Sequence, residues 1–363
     1  MRNKLKGLRL LIALLAVFGL LAAACSDDSS DDETSEDEAA TEEEAADEEC
    51  TGEDDAEFSI GMVYDVGGRG DQSFNDAAFA GLQQACEEFG VKVEDLEPSA
   101  GGENRGELLR LLADDGYDLV IGVGFAFEED LAAAAGDYPD TMFAIVDAAP
   151  EADNIMGLVF SEEQGSFLVG AAAALTSETG TIGFIGGVEV ELIQKFEAGY
   201  RAGAQAVNPD IVVEAQYITQ PPDFAGFNDP ARAQEIANGM FEGGADVVYA
   251  AAGGSGGGLF EAAATNGEVW AIGVDSDQYL VVGEPNNARI LTSMLKRVDV
   301  AVYEAIAGFV NGEAEAGVTV FDLSVEGVGY ATSGDFLSED ITSQLDDYSQ
   351  QIIDGEIEVP KTP

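Results

Sequence analysis

Three aspartates close three short apolar runs. Asp65 follows Ile60-Gly61-Met62-Val63-Tyr64, Asp147 follows Phe143-Ala144-Ile145-Val146, and Asp275 follows Ile272-Gly273-Val274. A carboxylate at the end of a strand accepts hydrogen bonds from hydroxyls and amines. A fourth run, 247–252, leads into the glycine-rich stretch that starts with Gly253 and Gly254, where a ligand can approach the backbone closely. Phe74, between Ser73 and Asn75, adds a ring face. Any one of these features has a plainer use. A single aspartate can cap the next helix, Ser73 with Asp76 matches a capping box, and Phe74 can belong to a core. Taken together they fit a polyhydroxylated ligand carrying a flat ring, held by acceptors and ring faces.

Other chemistry is excluded by composition. The chain has no histidine, so Ser-His-Asp and Cys-His relays cannot form, and the commonest zinc ligand is missing. Among 71 acids a neighbouring carboxylate pair carries no information. No Gly-x-x-x-x-Gly-Lys-Ser/Thr is present. Gly67, Gly68 and Gly70 do not have the spacing of a phosphate cradle, and Asp65 and Asp71 flank them. Neither catalysis, nor a metal, nor a cofactor is expected.

The elements that must position these groups alternate. Strand patterns fall at 59–65, 92–96, 119–123, 142–147, 155–160, 181–186, 211–217, 247–251, 270–275 and 289–293, with helical spacing between most of them. In 75–89 the helical face is Ala78, Leu82, Ala85 and Phe89. Residues 90–124 and 209–254 repeat one pattern: strand, linker, helix, Gly-x-Asp, then a buried strand ending in small residues. The expected fold class is α/β, two doubly wound parallel-sheet lobes joined by a hinge. Such lobes place a cleft at the carboxyl ends of their strands.

Before this region the chain has a different character. Arg2, Lys4, Lys6 and Arg9 precede an apolar run at 10–21 that ends in Ala22-Ala23-Ala24-Cys25, an export signal too short for a comfortable membrane span. Small residues before a cysteine resemble the lipobox of bacterial lipoproteins. That resemblance makes 1–24 a signal peptide and Cys25 the lipid-bearing N-terminus, with an ordinary secreted protein as the alternative. Residues 26–57 hold eighteen acids and no Lys or Arg, a composition that stays extended as a tether. The remaining residues, 58–363, carry 53 acids against 11 bases. Nucleic acid is therefore not a partner. Cys50 and Cys86 either pair, as an exported protein permits, or remain free thiols, with Cys86 on the buried side of its helix.

The stretches IGMVYDVGGRGDQSFNDAAFAGL, GFIGGVEVELIQKFEAGYRAGA, FNDPARAQEIANGMFEGGADVVYAAAGGSGGGLFEAA, AIGVDSDQ and ILTSMLKRVD closely resemble the basic membrane protein family of bacterial lipoproteins, in order along about 58–335. These are substrate-binding proteins of ABC importers with the type I periplasmic-binding-protein fold, and they capture purine nucleosides. The resemblance implies a monomeric receptor on the outer face of the cell membrane, serving an ABC permease and its ATPase subunit. It implies a first lobe of 58–160 plus about 296–325, and a second of 161–295 plus about 326–363, with the final segment, 341–363, on the second lobe. By position, Phe74 stacks on the base while Asn75 and Asp147 bond its edge. Asp65, Asp275 and the backbone at Gly253 and Gly254 hold the ribose, with Lys296 near the sugar and Ser73 in the same corner. A second ring is Phe227 or else Tyr249. A sugar or a signalling molecule is the alternative ligand.

Overall fold

The computed structural model describes residues 49–363. The predicted signal peptide, Cys25 and most of the tether lie outside the described residues. Among the described residues, twelve strands form two six-stranded sheets. The first has the order β11-β5-β4-β3-β1-β2, from β1 (Ser59–Val63), β2 (Lys92–Leu96), β3 (Leu119–Gly122), β4 (Met142–Val146), β5 (Ile155–Phe160) and β11 (Gly317–Phe321). The second has the order β12-β10-β9-β8-β6-β7, from β6 (Thr181–Val188), β7 (Val212–Thr219), β8 (Val247–Ala251), β9 (Trp270–Asp275), β10 (Ile290–Lys296) and β12 (Val328–Tyr330). The two orders superimpose term by term, so β2–β3 and β7–β8 are the units whose sequence pattern repeats. Nearly all pairs are parallel, as in β1 with β3, where Ile60 faces Leu119. Among the described strands only β12 runs antiparallel, against β10.

All ten predicted strands are present, and continuous apolar runs such as β8, buried at every residue, match sheets covered on both faces. The two strands that the sequence pattern did not reveal are edges. Four of the five residues of β11 are exposed, and β12 is three residues long. In β11 the alternation Val318-Thr319-Val320 lasts only three residues, and Val328-Gly329-Tyr330 is too short to stand out as a strand.

The chain changes sheets three times: after Phe160, after Lys296, and between Phe321 and Val328. The crossings lie side by side, with Ser161 N bonded to Phe321 O at 3.1 Å and Arg297 N to Gly327 O at 2.9 Å. After the second crossing α9 (Val298–Val310) packs on α1 (Phe74–Phe89). In the second lobe, Gly170 of α4 (Glu162–Thr176) and Gly199 and Gly203 of α5 (Glu191–Val207) let the two helices touch backbone to backbone. At the C-terminal end, α10 (Glu339–Ile353) buries Leu345 against Ala171 and Ala172 of α4.

Residues 49–57, read from composition as tether, lie on the first lobe. Cys50 is disulfide-bonded to Cys86 and exchanges hydrogen bonds with the Gln83 amide, and Thr51 O accepts from Val93 N. Arg69 of the Arg-Gly-Asp tripeptide stacks on Phe79 and bonds Glu49 at 2.6 Å. Composition cannot reveal such a segment, because its order comes from one covalent bond and partners far along the chain.

Candidate functional site

The loop between β1 and α1 is built by two aspartates. Asp71 accepts from the backbone N–H groups of Ser73, Asn75 and Asp76, and Asp76 accepts from those of Gly70 and Gln72. The Asp71 carboxylate thereby satisfies two of the helix's first donors, while Asp76 ties down the loop before it. The expected Ser73–Asp76 capping box is therefore not formed. Ser73 makes no side-chain cap, and its Oγ reaches the other lobe to donate to Asp275 Oδ2 at 2.6 Å. Gln278 reinforces that contact, donating from Nε2 to Gln72 O at 2.9 Å.

Between the lobes, at the carboxyl ends of the strands, lies a cleft of about 570 Å³, its open mouth included. Asp65, Phe74, Asn75, Asp147, Phe227, Gly253, Asp275 and Lys296 all line it, so eight of the ten predicted ligand-binding positions converge. The other two stand just behind. Ser73 is fully buried and holds Asp275, while Gly254 faces Asp71 of the first lobe. Tyr249, the second candidate for the opposing ring, is in the core, packed against Phe184 and Tyr200. Phe227 is half-buried at the cleft wall, on the lobe opposite Phe74.

The polar groups are arranged as acceptors. Asp65 Oδ1 accepts from Arg105 Nη2 at 2.6 Å and from Val66 N at 2.7 Å. Asn75 uses both ends of its amide, Oδ1 accepting from Asp65 N and Nδ2 donating to Asp71, which leaves one N–H. Asp147 and Asp275 occupy equivalent strand ends and share left-handed backbone, with φ of 69° and 63°. Non-glycine residues held there are strained, and strain of this kind gathers at ligand clamps.

Lys296 is the hub. Its Nζ is 2.6 Å from either carboxylate oxygen of Asp147 and 3.6 Å from Glu162, and lies 5.0 Å from the ring centres of Phe74 and Phe160. Burial works against its ammonium, but Asp147, Glu162 and Asp275 outweigh burial and raise its pKa. Burial also pushes the Asp275 carboxyl up to about 6 and Glu162 up to about 7, the latter opposed by Lys296 and Lys195. Glu162 thus takes up a proton on folding between its ordinary value near 4.5 and about 7. Its stabilising contribution is full below about 4.5 and is lost as pH rises through about 7. In urea unfolding, Glu162→Gln should gain on the wild type as the pH rises across that window. A stability difference that stays flat with pH would show that Glu162 does not titrate there.

Several lining residues have no distinctive signal in the sequence. Leu192, Ile193 and Phe196 of α5 look like an ordinary core stripe. Phe125, after β3, meets Phe224 of the other lobe edge-on at 5.9 Å across the cleft. Behind the lining, Arg105 and Glu162 are single charges in a highly charged chain. Phe125 could have been found by treating the end of β3 like the ends of β1, β4 and β9.

Comparisons with known proteins agree with this geometry. Residues 58–363 match the Bmp family, described as ABC transporter substrate-binding protein PnrA-like. The CD4+ T-cell-stimulating antigen of Listeria innocua is 33% identical, over 98% of both chains. The ABC transporter nucleoside-binding protein BmpA of Lactococcus lactis is 32% identical, over 85% of this chain and 91% of its own. A solved ABC transporter solute-binding protein of Aeropyrum pernix K1 is 30% identical, with a TM-score of 0.73 over 84% of this chain and 94% of its own. The chain belongs to the Bmp family of ABC transporter substrate-binding proteins, and is a binding protein rather than an enzyme.

Proposed function

We propose that the protein captures a nucleoside, a purine nucleoside foremost, in the interlobe cleft and presents it to an ABC permease driven by a separate ATPase. The observation that carries this reading is that Phe74 and Phe227, from opposite lobes, both line a cleft whose strand-end carboxylates are Asp65, Asp147 and Asp275. Two rings suit the two faces of a base, each worth roughly 1–3 kcal/mol. Asp65 Oδ2 and Asp275 Oδ1 are the oxygens left for ribose hydroxyls, while Asp147 and the remaining N–H of Asn75 face the base edge. Lys296 acts through Asp147 and Phe74, which it touches directly. The name of the Lactococcus lactis relative supports the same ligand class.

Capture works by differential affinity. A ligand that touches both lobes binds the closed form better, and closure about the three crossings reshapes the face the permease meets. Cys25, bearing acyl chains, holds the protein at the outer face of the membrane, with the acidic segment as spacer.

Titration calorimetry with nucleosides, free bases and sugars tests the ligand class. Nucleosides should bind with Kd in the micromolar range or tighter, well ahead of ribose and of bare bases. No nucleoside binding below about 100 μM would overturn this reading, and tight binding of a bare sugar would establish the alternative, since sugars also stack on rings.

A further inference from the structure

Arg105 opens α2 (Arg105–Asp114) in the first lobe and does not line the cleft. Its side chain is only 8% exposed, and it meets Asp65, 12% exposed, at 2.6 Å. The guanidinium lies against the backbone at Gly102, where Nη1 donates to the carbonyl at 3.2 Å. A Cβ at Gly102 would stand 2.2 Å from Nη1, so any larger residue there would push the guanidinium from this seat. Phe127, with its ring centre 5.5 Å from the guanidinium carbon, flanks the same group.

The consequence falls on Asp65. Arg105 and Val66 N both bond Oδ1, and Oδ2 receives no hydrogen bond from the described residues. That second oxygen sits beside Gly124, where an added Cβ would come within 2.5 Å of it. One oxygen is therefore held and the other is kept clear at the cleft wall.

We propose that Arg105 is a positioning residue for ligand capture: it fixes the Asp65 carboxylate so that Oδ2 remains an oriented acceptor for a ligand hydroxyl. The inference rests on the nucleoside reading, and it adds how the acceptor is aimed. Burial raises the Asp65 pKa, Asp147 raises it further, and Arg105 is the cation that opposes them. Without Arg105, Asp65 gains a proton more readily and its carboxyl is free to turn.

The expected signature is selective. In Arg105→Met, affinity for a purine nucleoside should fall by about tenfold or more, the size of a lost charge-assisted bond. Affinity for the matching free base, which stacks but has no ribose, should change less than about twofold. The nucleoside loss should deepen as pH falls from about 8 to about 5.5, because Asp65 protonates earlier in the variant. Arg105→Lys keeps the charge without the fork and should show a smaller loss of the same pattern. This variant carries the test if Arg105→Met fails to fold. In an Asp65→Asn background either Arg105 substitution should cost little more. Equal losses for nucleoside and base, or an undiminished loss in the Asp65→Asn background, would reduce Arg105 to a structural ion pair. Failure of the wild type to bind any nucleoside would overturn the functional reading together with this one, whereas wild-type binding with unselective variants overturns this one alone.

Discussion

Lys296→Met should destabilise the protein by about 3–5 kcal/mol at pH 8, because it leaves buried carboxylates without their cation. Asp147 loses both of its contacts to Nζ, and Glu162 keeps only Lys195, at 3.2 Å. The penalty has a pH signature. Burial already holds the Glu162 carboxyl high and Lys296 is the first charge opposing it, so without Lys296 it takes up a proton more readily. The cost should therefore shrink as the pH falls from about 8 to about 5. Urea midpoints of the two proteins across that range provide the check. A pH-independent penalty would mean that lost packing against the rings of Phe74, Phe160 and Phe196, not lost charge, dominates. The same variant should bind ligand poorly even where it is folded, since Asp147 sits at the cleft wall.

Phe74→Ala should weaken nucleoside binding by roughly 1–3 kcal/mol, about 5- to 150-fold. Phe74 is half-buried at the first position of α1, so truncation removes a ring from the cleft without opening the centre of the core. Phe227→Ala should act similarly from the other lobe. Calorimetry measures the binding loss, and the melting temperature of the unliganded protein separates stacking from stability. If Phe74→Ala lowers the melting temperature sharply and leaves nucleoside affinity unchanged, the ring belongs to the core and Phe227 alone would face the base.

The ligand-facing corner was partly legible because strand ends are local features. Asp65, Asp147 and Asp275 could each be located by the apolar run before it, and a parallel sheet aligns such ends on one rim. Convergence of the residues on one cleft follows from that topology. The partners of these residues were not legible. Ser73 was grouped with the ligand contacts and with a cap, yet it bonds Asp275 across 202 positions of chain. The resemblance puts the Asn75 amide on the base edge, and most of that amide is engaged inside its own lobe. Lys296 was placed near a sugar and is clasped by Asp147. Each choice depends on which lone pair or proton a distant residue reaches, and no spacing along the chain encodes that.

The sequence by itself determined the layout. Its periodicity set two doubly wound lobes, its lack of histidine removed the usual catalysts, and its carboxylates at strand ends made the cleft a place for hydrogen-bond donors. Tertiary structure decided which of many acids do what. Folding buries Glu162, pairs Asp65 with Arg105 and Asp147 with Lys296, and leaves oxygens of Asp65 and Asp275 toward the cleft. The reason is physical: a carboxylate's behaviour is set by its desolvation and its nearest charges, and both are properties of packing between segments far apart in the chain.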